Sequence, residues 1–260
     1  MARRFTKPHT HTLRTMNMTT DCTLRHGRCI LFLLAVAVLL LARSADAYAQ
    51  APSQPIYLDV NLGIGINAQS ITPTPVSTEG FVQLRNYTTA NVGIGARIPV
   101  VSSLPNLRVR PEVWMMNRGG QQALTQSFVD RTTYRKLTYI TFLLSGEYRI
   151  LNFRTLQMSV FAGGGYGLFS SGVDNVELVK DGNTTTTPVD IQKSTMKGGE
   201  LLLTAGFVFD YVITPTVATS LSLRYLPGIS NVVVYPAGTQ SDASTTNRTL
   251  LFAIGGRITL

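Results

Sequence analysis

Charged side chains that could meet one another recur at alternate positions in several segments of the sequence. Arg108, Arg110 and Glu112 are spaced two residues apart, as are Glu147 and Arg149. Side chains two residues apart in a β-strand point to the same face. If that face is enclosed, opposite charges must pair, because an unpaired buried charge costs several kcal/mol. We therefore expect an interior ion-pair plug formed by Asp59, Arg97, Arg108, Arg110, Glu112, Glu147, Arg149, Asp210 and Arg257.

Histidine and cysteine occur only near the start of the chain. The histidines are His9, His11 and His26, and the cysteines are Cys22 and Cys29. The chain that follows lacks the imidazole and thiol groups of Ser-His-Asp and Cys-His catalysis and of histidine-ligated zinc. We expect that the protein is not an enzyme and that it uses no metal or cofactor.

The N-terminal segment has the organisation of a secretory signal peptide. A long basic region precedes the apolar run Cys29–Ala42, and small residues follow it. The run is shorter than the roughly 18 residues of a membrane-spanning helix, and an A-x-A site comes after it. We predict a signal peptide over residues 1–49, cleaved after Ala47 or Ala49, and one domain over residues 50–260. An uncut signal anchor is the alternative.

Much of the positive charge belongs to this segment. Seven of the 23 Lys and Arg residues precede Gln50, against two of the 14 acids. The formal charge of +9 is therefore weak evidence for nucleic-acid binding, and we expect no nucleic-acid partner.

After residue 50 the sequence alternates between apolar and polar residues, which is the period of a β-strand. In the first segment Ile56, Leu58 and Val60 face one way, and Tyr57 and Asp59 face the other. Eight segments show this pattern, and each is close to the 9–11 residues that a tilted strand needs to cross a bilayer. They are Ile56–Asn67, Tyr87–Val100, Leu107–Asn117, Lys136–Ile150, Leu156–Phe169, Glu200–Val212, Val217–Leu226 and Arg248–Leu260.

The connections between these segments alternate in length. Val101–Asn106, Leu151–Thr155 and Ile213–Thr216 are short, whereas the other connections are long and rich in Thr, Ser, Gly, Asn and Gln. Short turns at one end and long loops at the other are typical of outer-membrane barrels. The pattern predicts an all-β fold, an eight-stranded antiparallel up-and-down transmembrane β-barrel, which closes without a free edge.

Three segments carry a resemblance to a known family: Tyr57–Asn67 (YLDVNLGIGIN), Phe161–Leu168 (FAGGGYGL) and Leu250–Leu260 (LLFAIGGRITL). With the strand pattern, they resemble the small outer-membrane β-barrels of the OmpA/OmpX type, and more closely the porin-family barrel domain of Bacteroidota-like bacteria. The resemblance implies a place in the outer membrane of a Gram-negative bacterium after signal-peptide cleavage. It also implies outer-membrane lipid and the barrel-insertion machinery as partners. One departure is the terminal Leu260, where many proteobacterial barrels have an aromatic residue that the insertion machinery reads.

Two alternatives remain open at this stage. A soluble periplasmic lipocalin-like barrel would have the same alternation with the apolar face turned inward to bind a ligand. Tyr148, Tyr211 and Tyr225 lie toward strand ends and favour the membrane barrel, since such residues form interfacial girdles. The other alternative is a narrow passive pore for small solutes. Eight strands, however, leave a lumen only wide enough for side chains or one small ligand, so we expect a plugged interior.

The long loops hold the candidate surface-interaction residues. Asp181-Gly182 lies between alternating segments and predicts a hairpin, so we expect the fifth and sixth strands to continue beyond the membrane. An apolar run, Val232–Tyr235, precedes Pro236 in another long loop. Exposed strand edges can pair with a partner, which predicts a structural or surface-interaction role. The candidate residues are Val173, Val176, Leu178, Val232, Val234 and Tyr235.

Overall fold

The structure is a computed structural model that describes residues 55–72, 76–77, 80–101, 103–126, 129–180, 182–191, 195–233 and 244–260. The strands in these ranges are β1 (Tyr57–Thr72), β2 (Val76–Ser77), β3 (Gly80–Arg85), β4 (Tyr87–Pro99), β5 (Leu107–Gln126), β6 (Val129–Asn152), β7 (Leu156–Lys180), β8 (Asn183–Asp190), β9 (Gly199–Val212), β10 (Val217–Pro227) and β11 (Ser244–Thr259). No helix among the described residues is long and apolar enough to cross a membrane. The predicted signal peptide lies outside the described residues, as do Val234 and Tyr235.

Eight of these strands form a closed antiparallel ring in the order β1, β4, β5, β6, β7, β9, β10, β11. β11 pairs back with β1 over the whole length of both strands, from Tyr57 with Thr259 to Thr72 with Ser244. Each strand of the ring therefore has a partner on both sides, which satisfies its backbone groups without water. The predicted eight-stranded antiparallel barrel is confirmed.

The two ends of the ring differ. At one end, called the turn end, short connections join β4 to β5, β6 to β7 and β9 to β10. At the other, called the loop end, strands run further than predicted: β5 continues to Gln126, β6 begins at Val129 and β7 continues to Lys180. The pattern missed these extensions because they lie beyond the apolar belt, where a strand no longer needs one apolar face. There β3 also pairs with β5, and β8 pairs with β7.

The apolar faces of the ring point outward. Ile64, Ile94 and Ile254 are each about 60% exposed, whereas the inward-facing Asn61 and Asn91 are buried. An apolar exterior around a polar interior is the arrangement of a barrel that sits in lipid. The lipocalin-like alternative requires the opposite arrangement and is wrong.

Candidate functional site

Arg97 on β4 is the centre of a buried ion-pair network near the turn end. Its Nε donates to Asp59 Oδ2 at 2.7 Å, and its terminal nitrogens donate to the two carboxylate oxygens of Asp210 at 2.6 and 3.1 Å. Its Nη1 also lies 3.5 Å from Glu147 Oε1. The three carboxylates come from β1, β9 and β6, and all four residues are buried. Arg97 therefore ties four strands of the ring together across the lumen through charge-assisted hydrogen bonds.

Two further arginines, Arg110 and Arg224, share the carboxylate of Glu112. Arg224 makes a two-point contact, with Nη1 2.8 Å from Oε2 and Nη2 3.1 Å from Oε1. Arg110 Nη2 lies 3.1 Å from Oε1 of the same carboxylate. Arg110 also lies 3.4 Å from Glu147 and 3.8 Å from Asp59, so this group and the Arg97 network form one connected set.

Two aromatic rings fill the lumen beside these arginines. The ring of Phe161 lies 5.2 Å from Arg110 Cζ and 4.9 Å from Arg224 Cζ, and the ring of Trp114 lies 4.8 Å from Arg224 Cζ. A guanidinium over an aromatic face is attracted by the π-electrons. Gly93 makes room for the indole, because a Cβ at this position would overlap the Trp114 ring. Charged and aromatic side chains are therefore in direct contact across the lumen.

The end of the lumen near the turn end, here called the mouth, is lined by Tyr57 and three arginines. Arg108 Cζ and Arg257 Cζ each lie 4.6 Å from the centroid of the Tyr57 ring. Arg257 Nη1 lies 2.8 Å from a carboxylate of the Arg97 network, whereas Arg108 Nη1 is 3.7 Å from its nearest carboxylate, Glu147. Nε and Nη2 of Arg149 are buried and have no hydrogen-bond partner among the described residues.

The nine charges predicted for the interior all lie on the inward side of the barrel wall. The structure brings eight of them into one connected set of ion pairs. Arg149 is the exception: within the described ranges it has no ion pair. The predicted set also leaves out Arg224, which contributes the two-point contact to Glu112.

A separate polar layer nearer the loop end is built around Arg118. Its Nη1 donates to Glu200 Oε2 at 2.8 Å, its Nε to Thr249 Oγ1 at 3.1 Å and its Nη2 to the backbone oxygen of Leu226 at 2.8 Å. Glu200 Oε2 also accepts from Asn247 Nδ2 at 3.2 Å. Arg118 and Glu200 are fully buried, and their charges compensate each other where water is excluded.

Sequence reasoning missed Arg224, Arg118 and Glu200, although the alternation contains the signal for two of them. Arg224 lies between the outward-facing Leu223 and Tyr225, and Glu200 precedes the outward-facing Leu201. Both therefore occupy inward positions of predicted strands. Arg118 lies one residue beyond the predicted end of the third strand. In the structure that strand continues as β5 to Gln126, which places Arg118 inside it.

Apolar side chains separate and cover the polar layers. A buried cluster between them consists of Trp114, Met116, Leu143, Leu202, Leu226, Leu251 and Ala253. A second cluster near the loop end consists of Leu137, Tyr139, Met196 and Val232, packed against Phe169, Ile191 and Val233.

Val232 is not a surface residue, so its prediction as part of an exposed interaction loop is wrong. Its side chain is only 1% exposed. Its backbone N–H donates to Thr245 O at 2.9 Å, and its carbonyl accepts from Lys197 N at 2.9 Å. Residues 228–233 pack onto the end of the lumen because this removes an apolar side chain from water.

The other candidate surface residues lie in a sheet that extends from the loop end. β6 and β7 stay paired as far as Asp130 and Val179. In this extension of β7, Leu178 is exposed, and Val173 and Val176 are partly buried. β8 is exposed along its whole length, and β7 is its only partner strand in the described part of the chain.

β7 and β8 form a hairpin at the position that the Asp-Gly pair predicted. Lys180 pairs with Asn183, and Gly182 has a φ of +75°, which glycine adopts without a steric penalty. The hairpin does not join the fifth and sixth predicted strands, however. β8 is separate from β9, and Ile191 N donates to Gly172 O at 2.9 Å, which continues the ladder between β7 and β8 by one residue.

Comparison with known protein families gives one match. A family described as “Outer membrane protein beta-barrel domain” matches residues 48–234. The match spans β1 to β10. No curated protein sequence matches the chain.

Solved structures to which the chain is similar include three bacterial proteins. Neisserial surface protein A is 12% identical, with a TM-score of 0.38 over 77% of this chain and 96% of that one. Ail, the attachment invasion locus protein of Yersinia pestis, is 12% identical, with a TM-score of 0.34 over 79% and 100%. The outer membrane protease OmpT of Escherichia coli is 10% identical, with a TM-score of 0.45 over 80% and 97%.

Proposed function

Because the chain belongs to the outer membrane protein beta-barrel domain family, we propose that it is a non-conducting barrel that presents a binding sheet at the cell surface. Removal of the signal peptide after Ala47 or Ala49 precedes its insertion. The turn end faces the periplasm and the loop end faces the outside, since short periplasmic turns and long extracellular loops are the rule for such barrels. The proposal includes no catalytic step.

The layers of side chains across the lumen support a non-conducting interior. Arg97, Arg110, Trp114 and Arg118 come from two neighbouring strands and are all fully buried. An ion that passes them would have to separate buried charge pairs, and breaking one such pair costs roughly 3–5 kcal/mol. The Val232 cluster adds an apolar layer at the loop end. A passive pore is therefore the less favoured alternative.

The observation that carries the surface role is the outer edge of β8. Lys180 pairs with Asn183 across a two-residue loop, and hydrogen-bonded and non-hydrogen-bonded pairs alternate along an antiparallel ladder. Thr184, Thr186, Pro188 and Asp190 therefore direct their backbone groups away from β7. Proline has no N–H, so Thr184 and Thr186 supply the outward-facing donors before Pro188, and Asp190 supplies one after it.

The chemistry of this edge fits an extended polypeptide that pairs with it as an added strand. Main-chain hydrogen bonds supply the affinity in such pairing. Edge strands are usually protected by charged side chains or proline. In β8 the stretch Thr184–Thr187 has neither, and only Pro188 interrupts the edge.

A proline substitution at Thr186 tests this surface role. T186P removes an outward-facing N–H without removing a hydrogen bond to β7, whereas T186A changes the side chain alone. We expect intact cells that carry T186P to lose adherence to immobilised extended polypeptides, and cells that carry T186A to keep it. The amount of folded barrel in the outer membrane is compared by gel mobility with and without boiling. If both T186P and a deletion of residues 183–190 leave adherence unchanged, the binding role fails and a purely structural barrel remains.

A further inference from the structure

The turn-end half of the lumen holds more positive charge than its carboxylates can pair. Among the described residues that face this half, six are arginines and four are acids. They are Arg97, Arg108, Arg110, Arg149, Arg224 and Arg257 against Asp59, Glu112, Glu147 and Asp210. Since buried charge is costly unless compensated, two positive charges are left for something other than these carboxylates.

The excess falls on two of the three arginines at the mouth, Arg108 and Arg149. Arg97 and Arg224 have carboxylate contacts of 2.6 to 3.1 Å. In contrast, Nε and Nη1 of Arg108 and Nε and Nη2 of Arg149 are buried without a hydrogen-bond partner in the described structure. The closest carboxylate contact of Arg108 is 3.7 Å, which is beyond hydrogen-bond length.

The strand register places the two residues that carry these unpaired donors on neighbouring strands and on the same face of the barrel wall. Arg108 pairs with Glu147, and Arg149 is two residues further along the same face, so the two arginines are diagonal neighbours about 7–8 Å apart. Arg149 in turn pairs with Ser159 on β7. The Oγ of Ser159 is also buried without a hydrogen-bond partner among the described residues.

We propose that the mouth binds an oxyanion of the phosphate class between Arg108 and Arg149, with the Ser159 hydroxyl as a third donor. The planar guanidinium fork matches two oxygens of a phosphate group. Arginine supplies only donors, so an acceptor-rich anion is the partner that fits. Free phosphate or a phosphate monoester carries roughly 1.5 to 2 negative charges at neutral pH and a phosphodiester headgroup carries one, so either group offsets much of the excess at the mouth. The group can be free phosphate or the phosphate of a lipid headgroup in the periplasmic leaflet.

The first test is ligand-dependent stability of the protein extracted in a neutral, phosphate-free detergent. The unfolding temperature is measured against inorganic phosphate, with chloride at equal ionic strength as the reference. A ligand that binds only the folded state raises stability in proportion to ln(1 + [L]/Kd). We expect the unfolding temperature to rise with phosphate and to stay level in chloride. Coinciding curves would overturn the proposal.

Substitutions locate the effect. R149Q removes one fork and is expected to weaken phosphate binding by about tenfold or more, which is the loss of one charged hydrogen bond. R149K keeps the charge but not the fork and is expected to fall between R149Q and the original protein. R154Q is the matched control, because Arg154 lies exposed in the turn between β6 and β7. An equal response of R149Q and R154Q to phosphate would show that the arginines at the mouth do not hold the anion.

The unfolding temperature in chloride alone separates a binding role from a structural one. An arginine without a partner repels its neighbours, so R149Q is expected to unfold at the same temperature as the original protein or at a higher one. A clear decrease would mean that Arg149 stabilises the empty barrel, and this would overturn the assignment.

Lipid vesicles distinguish the two sources of the phosphate group. In vesicles of phosphatidylglycerol, a bound headgroup would raise the unfolding temperature above that in a neutral glycolipid and abolish the response to added phosphate. A site for free phosphate would respond equally in both lipids. Either result supports the site, provided that R149Q reduces the rise in unfolding temperature that the lipid or the added phosphate causes.

Discussion

At the scale of single residues, the interior depends on guanidinium groups that several carboxylates share. Arg97 contacts Asp59, Asp210 and Glu147, and the last of these is also shared with Arg108 and Arg110. Arginine suits this role because its five donors are fixed in one plane and it stays protonated. The loss of such a residue leaves more than one acid uncompensated.

We expect R97Q to lower the free energy of unfolding by roughly 3–5 kcal/mol, the cost of breaking a buried ion pair by removing one partner. Urea unfolding in lipid vesicles, followed by fluorescence, measures the difference. R85Q is the control, because Arg85 is exposed and surface substitutions usually change stability by no more than about 0.5 kcal/mol. Equal midpoints for R97Q and R85Q would contradict the central role of Arg97.

The alternation of the sequence predicted many of the charges that face inward, although not Arg118, Glu200 or Arg224, and it did not predict which charges pair. Glu112 and Arg224 are 112 residues apart in the chain, and their contact depends on the stagger of strands around the closed ring. A single sequence carries no direct record of that stagger. For the same reason, the sequence did not show that Arg149 would have no ion pair among the described residues.

At the scale of strands, the segments inside the apolar belt were predicted well, whereas their loop-end extensions were not. The predicted fifth strand ended at Phe169, but β7 continues to Lys180. Lipid demands an apolar face from each strand inside the belt, and this constraint produces the alternation. Beyond the belt the pairing of β6, β7 and β8 needs only backbone hydrogen bonds, which any polar sequence can supply.

The fit between β4 and β5 gives a prediction at this scale. We expect G93V to displace the Trp114 ring and to lower the free energy of unfolding by about 1–3 kcal/mol, as overpacking of a filled interior does. Trp114 is the single tryptophan of the chain, so its emission reports the displacement directly. G256V is the matched control, since a Cβ at Gly256 meets nothing within 4 Å. An unchanged emission spectrum in G93V would contradict the close approach of Gly93 to the Trp114 ring.

At the scale of the whole molecule, the described part of the barrel contains four layers along its axis, two of them charged and two apolar. Ion pairs lie toward the turn end, an apolar cluster with Trp114 follows, and the Arg118 layer and the Val232 cluster lie toward the loop end. A solute path along the axis would have to pass each of them.

We expect the protein to show no large, stable single-channel steps in planar lipid bilayers. The reason is that the lumen is crossed by buried side chains in contact with one another. The double variant W114A/F161A removes the two rings beside the ion pairs. It serves as the comparison, and we expect conductance in this variant. Stable steps from the unaltered protein would instead support the passive-pore alternative.

The pairing of β1 with β11 has a consequence for the order of folding. The first strand of the ring finds its second neighbour only in the last one, nearly 200 residues later in the chain. Contacts this distant in sequence carry a high loop-closure entropy and form slowly. Until β11 arrives, both β1 and β10 have an unpaired edge that lipid cannot satisfy. Closure therefore requires the whole ring through β11, and it is the step that removes the last two unpaired edges from lipid.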